Sequence, residues 1–266
     1  MSALPAHAKI NLALVVGPTR PDGKHEVTTV LQRIGLADRI TLEPAASLRV
    51  DGFEGDTLVG RALESIAEAT GVEPRWAARI EKQIPVASGL GGGSSDAATT
   101  LRLANSMFAQ PLPGAELHAI ARSLGADVPF FLVEGPQLGE GDGSELTPLD
   151  LPQSYTVVVV LPEETKLSTA AVYAAFDERG GAAGYEERRT QLLAALAAGD
   201  LAALPASDLA ASSPLADELR ALGAFRADLS GAGPAIYGLF EDAMAAAAAG
   251  TRLEARGRVW VRSPAW

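Results

Sequence analysis

The chain of 266 residues contains no cysteine, which excludes a disulfide scaffold, a thiolate metal site and a cysteine nucleophile. Positive charge is also scarce, since 22 Lys and Arg stand against 33 Asp and Glu, for a formal net charge of −11. So acidic a chain is unsuited to binding phosphate backbones, and we expect no nucleic-acid partner. No apolar run approaches the roughly 18 residues of a membrane-spanning helix, and Met1 to Ala8 lacks the pattern of a signal peptide. We therefore expect a cytoplasmic protein with no membrane partner.

The N-terminal segment has the alternating pattern of a β-strand with one buried face. From Ala6 to Val16 the even positions are apolar, while His7, Lys9 and Asn11 occupy odd positions. Because successive side chains of a strand point to opposite faces, we expect these three polar groups to lie together on the other face.

Strand and helix patterns follow in an order that favours an α+β fold. Arg20 to Gly23 is predicted to be a turn, because proline presets φ and glycine accepts positive φ. The predicted strands are His25–Arg33, Arg39–Glu43, Arg75–Glu81, Tyr155–Leu161, Arg226–Leu229, Ala235–Phe240 and Arg258–Arg262, and the predicted helices are Thr57–Ala69, Ser94–Asn105, Pro113–Leu124, Thr169–Asp177, Tyr185–Ala198, Leu215–Leu222 and an alanine-rich helix after Met244. We expect helices to cover one face of a mostly antiparallel sheet in each half. The break at Leu149 to Ser154 predicts two domains, residues 1–152 and 153–266.

The strongest local signal is a glycine-rich run between a predicted strand and a predicted helix. It reads Pro85-Val86-Ala87-Ser88-Gly89-Leu90-Gly91-Gly92-Gly93-Ser94-Ser95. Without Cβ atoms, consecutive backbone N–H groups can line a concave anion site, and the helix start adds its own unpaired N–H groups. We interpret the run as a phosphate cradle, with a flexible surface loop as the alternative. Either Ser94 or Ser95 is expected to cap the helix and to contact a phosphate oxygen or Mg²⁺.

Two common nucleotide-binding motifs are absent. No Gly-Lys-Ser/Thr occurs, which excludes a P-loop, and Ser94 stands where G-x-G-x-x-G requires its last glycine. Instead, the stretch from Gly89 to Ala98 resembles the central motif of the GHMP small-molecule kinases. Further similar stretches are Pro5–Leu12, Arg20–Glu26, Leu124–Phe131 and Ser230–Pro234. Together they resemble the branch of this family that phosphorylates a cytidine diphosphate ester of methylerythritol in the non-mevalonate isoprenoid pathway.

This resemblance implies a fold and two co-substrates. The implied fold is the two-domain GHMP kinase architecture, with an N-terminal half like domain 2 of ribosomal protein S5 and a ferredoxin-like C-terminal half. ATP, accompanied by Mg²⁺, would be bound by Pro85 to Ser95 and by Ser230, Gly231 and Gly233, in a cleft between the domains. The second substrate would be a small cytidine diphosphate. We expect a monomer or a weak homodimer.

Roles for three residues near the transferred phosphoryl group also follow from the resemblance. It implies that Asp127 accepts the proton of the alcohol, whereas the residue by itself reads as an ordinary aspartate after a helix. Lys9 would be a fixed cation beside the reacting oxygen and Asp127, with a solvated lysine as the alternative. Asn11 would hydrogen-bond the substrate or Asp127, unless it is a plain edge-strand asparagine.

The substrate-binding residues that the resemblance implies include His25, Lys24, Thr169 and Tyr173. His25 would contact the cytosine edge or the diphosphate, and the alternative is a surface histidine beside a turn. Lys24 departs from the family, which usually has tyrosine there, so an aromatic platform is missing and Tyr173 is left to stack on the cytosine alone. We expect weaker cytidine binding, unless Lys24 pairs with a substrate phosphate.

Two other functions are compatible with the same motifs. Another kinase of the superfamily, acting on homoserine, mevalonate or a sugar, is favoured by Lys24 and the reduced cytidine site. A non-catalytic nucleotide-binding protein on the same fold would bind ATP without turnover. The presence of both Lys9 and Asp127 argues against the second alternative.

Overall fold

The computed structural model describes residues 2–55, 58–163, 168–210 and 213–266. Its strands are β1 Ser2–Thr19, β2 His25–Pro44, β3 Arg49–Asp51, β4 Trp76–Glu81, β5 Gln137–Glu140, β6 Glu145–Pro148, β7 Thr156–Pro162, β8 Arg226–Leu229, β9 Ile236–Phe240, β10 Gly257–Arg262 and β11 Pro264–Ala265. Its α-helices are α1 Leu58–Thr70, α2 Gly92–Ser106, α3 Gly114–Leu124, α4 Thr169–Glu178, α5 Tyr185–Ala198, α6 Pro214–Ala221 and α7 Ala243–Leu253. Short 3-10 helices occupy Pro129–Leu132 and Glu254–Arg256. This element order confirms the α+β prediction, although the predicted helix start at Thr57 lies outside the described residues.

The chain forms two compact units that interleave along the sequence. The first consists of Met1–Ala8, Leu36–Val86 and Gly91–Glu134, and the second of Lys9–Gly35, Ala87–Leu90 and Gly135–Trp266. Strand β2, one continuous strand of 20 residues, contributes residues to both units. Its first half pairs with β5 from Thr29 to Leu31, and its second half pairs with β4 from Arg39 to Pro44. The domain boundary after Pro152 stays a prediction.

Two sequence predictions about these strands are wrong, and some short strands were missed. His25–Arg33 and Arg39–Glu43 are parts of one strand, since Gly35 continues the pairing by donating its N–H to the Ser263 carbonyl at 2.9 Å. The prediction of one buried face for β1 fails, because Lys9 and Asn11 are only 4% and 5% exposed. The short strands β5 and β6 were not predicted, because four residues are too few to show an alternating pattern.

The first unit places helices against a small sheet. Strands β2 and β4 pair antiparallel, and β3 adds to β4 in parallel. Helix α1 packs against α2 and α3, and its buried residues recur every three or four positions, as in an amphipathic helix. They are Val59, Ala62, Leu63, Ile66 and Ala67. This packing holds α2, whose first two residues, Gly92 and Gly93, are glycines of the motif.

The second unit contains a four-stranded antiparallel sheet in the order β10-β7-β9-β8. Together with α6 and α7, the strands give a βαββαβ arrangement, which is the ferredoxin-like order that the family resemblance implies. Helix α7 packs on β7, β9 and β10, and α6 on β8 and β9. Their shared core includes Val158, Val160, Leu219, Phe240 and Leu253. Among the described helices, none combines the length and apolar character needed to cross a bilayer.

Candidate active site

Helix α2 begins at the glycines of the motif, two residues earlier than predicted. Its N-cap is Gly91, in the left-handed conformation (φ 69°), and no side chain caps the helix. The prediction that Ser94 or Ser95 is the cap is therefore wrong, because a glycine supplies the left-handed turn instead. In an α-helix the N–H groups of the N-cap and the first three residues have no acceptor within the helix. Here these are the N–H groups of Gly91 to Ser94, which together with the helix dipole favour an anion.

The loop before α2 has an alternating backbone conformation. Positive φ occurs at every second residue, with 57° at Ala87, 88° at Gly89 and 69° at Gly91. Such alternation turns successive N–H groups toward one side and is typical of anion-binding nests. Ala87 is the one non-glycine residue with positive φ in the described part of the chain. This conformation costs an alanine about 1 to 2 kcal/mol and is most often retained at functional sites.

In the second unit, donors from three segments hold consecutive carbonyls of this loop. Ala235 N–H donates to Ser88 O at 3.0 Å, Ser230 Oγ to Gly89 O at 3.0 Å, and Lys9 N–H to Leu90 O at 2.9 Å. The turn from Ser230 to Pro234 approaches so closely that a Cβ on Gly233 would overlap the backbone of Ser88 and Gly89. The structure thus brings both glycine-rich segments together, as the resemblance implies.

Lys9 and Asn11 form a buried polar pair beside that turn. Lys9 Nζ donates to Asn11 Oδ1 at 2.6 Å, and Asn11 Nδ2 donates to Thr29 Oγ1 at 2.8 Å. A Cβ on Gly231 would lie 3.4 Å from Lys9 Nζ and 3.2 Å from Asn11 Oδ1. Lys9 is therefore a buried cation adjoining a glycine turn, and the alternative of a solvated lysine is wrong.

His25 contacts the predicted aromatic residue on α4. The His25 and Tyr173 rings lie 4.9 Å apart with a 34° tilt, and His25 Nε2 hydrogen-bonds Asp177 Oδ1 at 2.8 Å. Asp177 was not singled out from the sequence, although it follows Tyr173 by four positions and so shares its helix face. Thr169 lies exposed in the first turn of α4, one turn before Tyr173.

Lys24 is paired with a carboxylate that sequence reasoning missed. Its exposed Nζ lies 2.6 Å from Asp142 Oδ2 in the turn between β5 and β6. Partial burial alone would raise the pKa of Asp142, but hydrogen bonds from Lys24 and Ser144 lower this pKa to about 2. The positive charge of Lys24 is thus balanced by the carboxylate of Asp142.

Asp127 lies in the first unit, in the turn that follows α3. The Val128 N–H donates to the Gly125 carbonyl at 3.1 Å and closes this turn, which leads into the 3-10 helix Pro129–Leu132. Gly125, which follows the last residue of α3, has a φ of 168°, so its backbone is extended and does not take the left-handed conformation common for glycine after a helix. Asp127 is half-buried, and its proposed role as a base stays a prediction.

A buried charge cluster in the first unit was also missed by the sequence reasoning. Lys82 Nζ contacts Asp38 Oδ2 at 2.5 Å and Asp96 Oδ2 at 2.7 Å, while Asp38 Oδ1 accepts the Ile84 N–H at 2.8 Å. The only hint of this cluster in the sequence is that Lys82 and Asp96 lie on either side of the glycine-rich loop. Asp96 Oδ1 has no hydrogen-bond partner within the described residues. Burial and the neighbouring Asp38 charge raise the pKa of Asp96 to about 7, against the opposing effect of Lys82.

This raised pKa predicts a pH-dependent stability. Between the ordinary aspartate pKa of 3.8 and about 7, folded Asp96 keeps a proton that the unfolded chain has lost. The contribution of Asp96 to the free energy of unfolding is therefore largest below pH 3.8, and it falls as the pH rises to about 7. As the pH rises through this window, the free energy of unfolding of Asp96→Asn should increase relative to that of the wild type by on the order of a few kcal/mol. The reason is that the amide does not titrate. Urea unfolding across this pH range measures the difference, and Asp51→Asn at an exposed position is the control. A wild-type pH dependence retained by Asp96→Asn contradicts the prediction.

Within the described residues, no group of three or more His, Asp or Glu side chains is arranged to hold a metal ion. The two serines suggested for Mg²⁺ differ in accessibility. Ser95 is 1% exposed and its N–H donates to the Gly91 carbonyl at 2.9 Å, whereas Ser94 is half-buried at the helix start. Ser94 is therefore the hydroxyl that a ligand at this helix end can reach.

Comparisons with known proteins agree with the motifs along the whole chain. A family model for the GHMP kinases N-terminal domain matches residues 57–135, and one for the GHMP kinases C-terminal domain matches residues 210–259. The 4-diphosphocytidyl-2-C-methyl-D-erythritol kinase of Symbiobacterium thermophilum is 39% identical over 257 residues, which cover 89% of each chain. The enzyme of the same name from Geobacter sulfurreducens is 37% identical over 265 residues, which cover 95% of each chain.

Solved structures support the same relationship. A crystal structure of 4-(cytidine 5'-diphospho)-2C-methyl-D-erythritol kinase superposes with a TM-score of 0.82 at 34% identity, covering 100% of both chains. A homoserine kinase from Cytophaga hutchinsonii superposes with a TM-score of 0.71 at 16% identity, which indicates a shared fold alone. Since relatives above 30% identity extend over nearly the whole sequence, the chain belongs to the 4-diphosphocytidyl-2-C-methyl-D-erythritol kinase family of the GHMP kinases.

Proposed function

We propose that the chain transfers the γ-phosphoryl group of ATP to the 2-hydroxyl of 4-diphosphocytidyl-2-C-methyl-D-erythritol, a step of the non-mevalonate isoprenoid pathway. The observation that carries the proposal is the start of α2 at the motif glycines. It leaves the N–H groups of Gly91 to Ser94 without helical acceptors at the positive end of the helix dipole. This arrangement suits the triphosphate, and the names of the full-length relatives support the choice of the acceptor alcohol.

On the ATP side, the protein contributes positioning and charge stabilisation. The residues of the loop, Pro85 to Ser95, and those of the turn, Ser230, Gly231 and Gly233, would bind the nucleotide. Ser94 would hold the Mg²⁺ that accompanies ATP, because its hydroxyl is the more accessible of the two serines. When bound, this ion offsets charge on the phosphate oxygens. The backbone N–H donors are fixed before the substrate arrives, so little reorganisation accompanies the transfer.

On the alcohol side, one residue would accept the proton and another would offset charge. Asp127, half-buried in its turn, would accept the proton of the 2-hydroxyl as the phosphoryl group arrives. Lys9 would stabilise the negative charge on the reacting oxygen and the phosphate, and its burial strengthens such an interaction. Asn11 keeps the Lys9 ammonium in place through their 2.6 Å hydrogen bond and would contact the methylerythritol part.

The cytidine part would be bound by His25, Tyr173 and Thr169. The base would stack on Tyr173, and because the His25 ring lies 4.9 Å from the Tyr173 ring, the histidine would be beside the bound base. His25 would then hydrogen-bond the base edge, and Thr169 would contact the substrate from the exposed first turn of α4.

We also propose that the protein is cytoplasmic and that it is a monomer or a weak homodimer.

Turnover with defined alcohols tests the proposed activity. Purified protein should release ADP from Mg²⁺-ATP in the presence of 4-diphosphocytidyl-2-C-methyl-D-erythritol and far less with homoserine, mevalonate or galactose. Release of ADP with one of those alcohols alone would assign the chain to a different GHMP activity. ATP binding without ADP release from any of them would favour a non-catalytic protein.

Restoring the missing aromatic side chain should strengthen substrate binding. Lys24→Tyr is expected to lower the KM for the cytidine substrate by about tenfold, because stacking on an aromatic ring stabilises a base by about 1 to 3 kcal/mol. Steady-state kinetics measure this change. Lys24→Met is the matched control, since it also releases Asp142 from its ion pair but adds no ring. Equal KM values for the two variants would contradict the platform role, and a raised KM in both would favour a Lys24 contact with a substrate phosphate.

A further inference from the structure

We propose that Asp177 is a positioning residue that determines base specificity. It fixes the His25 tautomer so that His25 Nδ1 accepts a hydrogen bond from the 4-amino group of cytosine and disfavours uracil. The inference rests on the proposed function, because His25 has a base to read only if the substrate carries one. Asp177 lies outside the motifs that identify the family and acts through His25.

The tautomer follows from the contact between the two side chains. His25 Nε2 lies 2.8 Å from Asp177 Oδ1. An ionised carboxylate has no proton to donate, so the proton in this hydrogen bond belongs to Nε2. In a neutral imidazole with the proton on Nε2, the other ring nitrogen has a lone pair and accepts. His25 therefore presents Nδ1 as an acceptor.

The ring is also held in place by packing from the same helix face. Tyr173, Phe176 and Asp177 are spaced i, i+3 and i+4 on α4, which places all three side chains toward His25. The His25 ring lies 4.9 Å from the Tyr173 ring and 5.8 Å from that of Phe176, at 34° and 85°. The His25 side chain is only 10% exposed. With two aromatic contacts and one hydrogen bond to a carboxylate, the ring cannot turn over to exchange its nitrogens without breaking the Asp177 contact.

A fixed acceptor distinguishes the two pyrimidine bases. Position 4 of cytosine carries an amino group, which donates, whereas position 4 of uracil carries a carbonyl, which only accepts. Nδ1 therefore pairs with cytosine and faces a second lone pair in uracil. A mismatched hydrogen bond should therefore give a roughly tenfold to hundredfold preference for cytosine in kcat/KM.

Asp177→Asn tests the proposal, because its amide can donate to Nε2 and thereby favour the opposite tautomer. The measurement is the ratio of kcat/KM for the cytidine substrate to that for its uridine analogue, at pH 8.5, where histidine is ordinarily neutral. We expect this ratio to fall by about tenfold or more in Asp177→Asn, as one hydrogen bond becomes mismatched, and to fall in Asp177→Ala as well. Glu178→Gln, which neutralises the next carboxylate of α4, should keep the wild-type ratio. Because the Asp177 side chain is 51% exposed, these variants should remain folded.

A spectroscopic measurement tests the same point without turnover. The chain has three histidines, so their ¹⁵N ring signals can be assigned by substituting each in turn. His25 should show the Nε2–H tautomer in the wild type and lose it in Asp177→Asn. An unchanged base ratio in that variant, or an Nδ1–H tautomer in the wild type, would overturn the inference alone. A wild-type protein that releases no ADP with the cytidine substrate would instead overturn the proposed function and this inference with it.

Discussion

Asp127→Asn is expected to lower kcat for the cytidine substrate by about 10²- to 10⁴-fold, the usual contribution of a general base. The amide keeps the size of the side chain but cannot take up the proton of the 2-hydroxyl. Asp127 lies in a turn closed by the Val128 N–H and Gly125 carbonyl, so the substitution leaves the backbone hydrogen bonds intact. Coupled detection of ADP measures kcat, and the KM for ATP should change little.

The matched control for this variant is Asp51→Asn, which changes an exposed aspartate of the same compact unit that pairs with Arg49 on the surface. It should retain the wild-type kcat. Thermal unfolding of both variants shows whether a loss of activity reflects a loss of structure. Full turnover by folded Asp127→Asn would remove this residue from the role of base and leave proton transfer to another group or to solvent.

Lys9→Met is expected to lower kcat by about 10²- to 10³-fold, the usual effect of removing one fixed donor or cation from a reacting site. Methionine preserves most of the buried volume but removes the charge. Because Lys9 is only 4% exposed, its charge is poorly screened by water and should interact strongly with a developing anion. We expect kcat and kcat/KM to fall together, which is the pattern of an interaction formed in the transition state.

A comparison with Asn11→Ala separates the charge of Lys9 from its hydrogen bond. That variant removes the acceptor of the 2.6 Å bond and leaves the ammonium group in place. It should therefore reduce kcat less than Lys9→Met does. An equal loss in the two variants would show that the hydrogen-bonded pair matters as packing, and would contradict the electrostatic role of Lys9.

Much of the fold could be predicted from local sequence patterns. Helix α5 at Tyr185–Ala198 and strand β8 at Arg226–Leu229 have the predicted bounds. Each depends on propensity and periodicity within a few residues, which a single sequence displays directly. The family also followed from the sequence, because its motifs consist of contiguous residues in a fixed order.

Predictions failed where a boundary depends on a backbone conformation that several residues can adopt. Ser94 is a better N-cap by propensity than glycine, yet α2 starts after Gly91 because that residue takes the left-handed conformation. Gly125 adopts an extended conformation, although glycine after a helix usually predicts a left-handed cap. In both cases a glycine, which has no Cβ, can adopt several backbone conformations, and the surrounding packing selects one.

By itself, the sequence determined the class of fold and the family, and it singled out the glycine-rich run and the residues proposed for phosphoryl transfer, because contiguous motifs encode them. Only the tertiary structure decided which charged groups meet. Asp177 reaches His25 across 152 positions of the sequence, and Asp142 reaches Lys24 across 118. Such contacts depend on how distant segments pack, and no local pattern records that packing. The same holds for Lys9, whose burial comes from covering both faces of β1 and not from the alternating sequence of the strand.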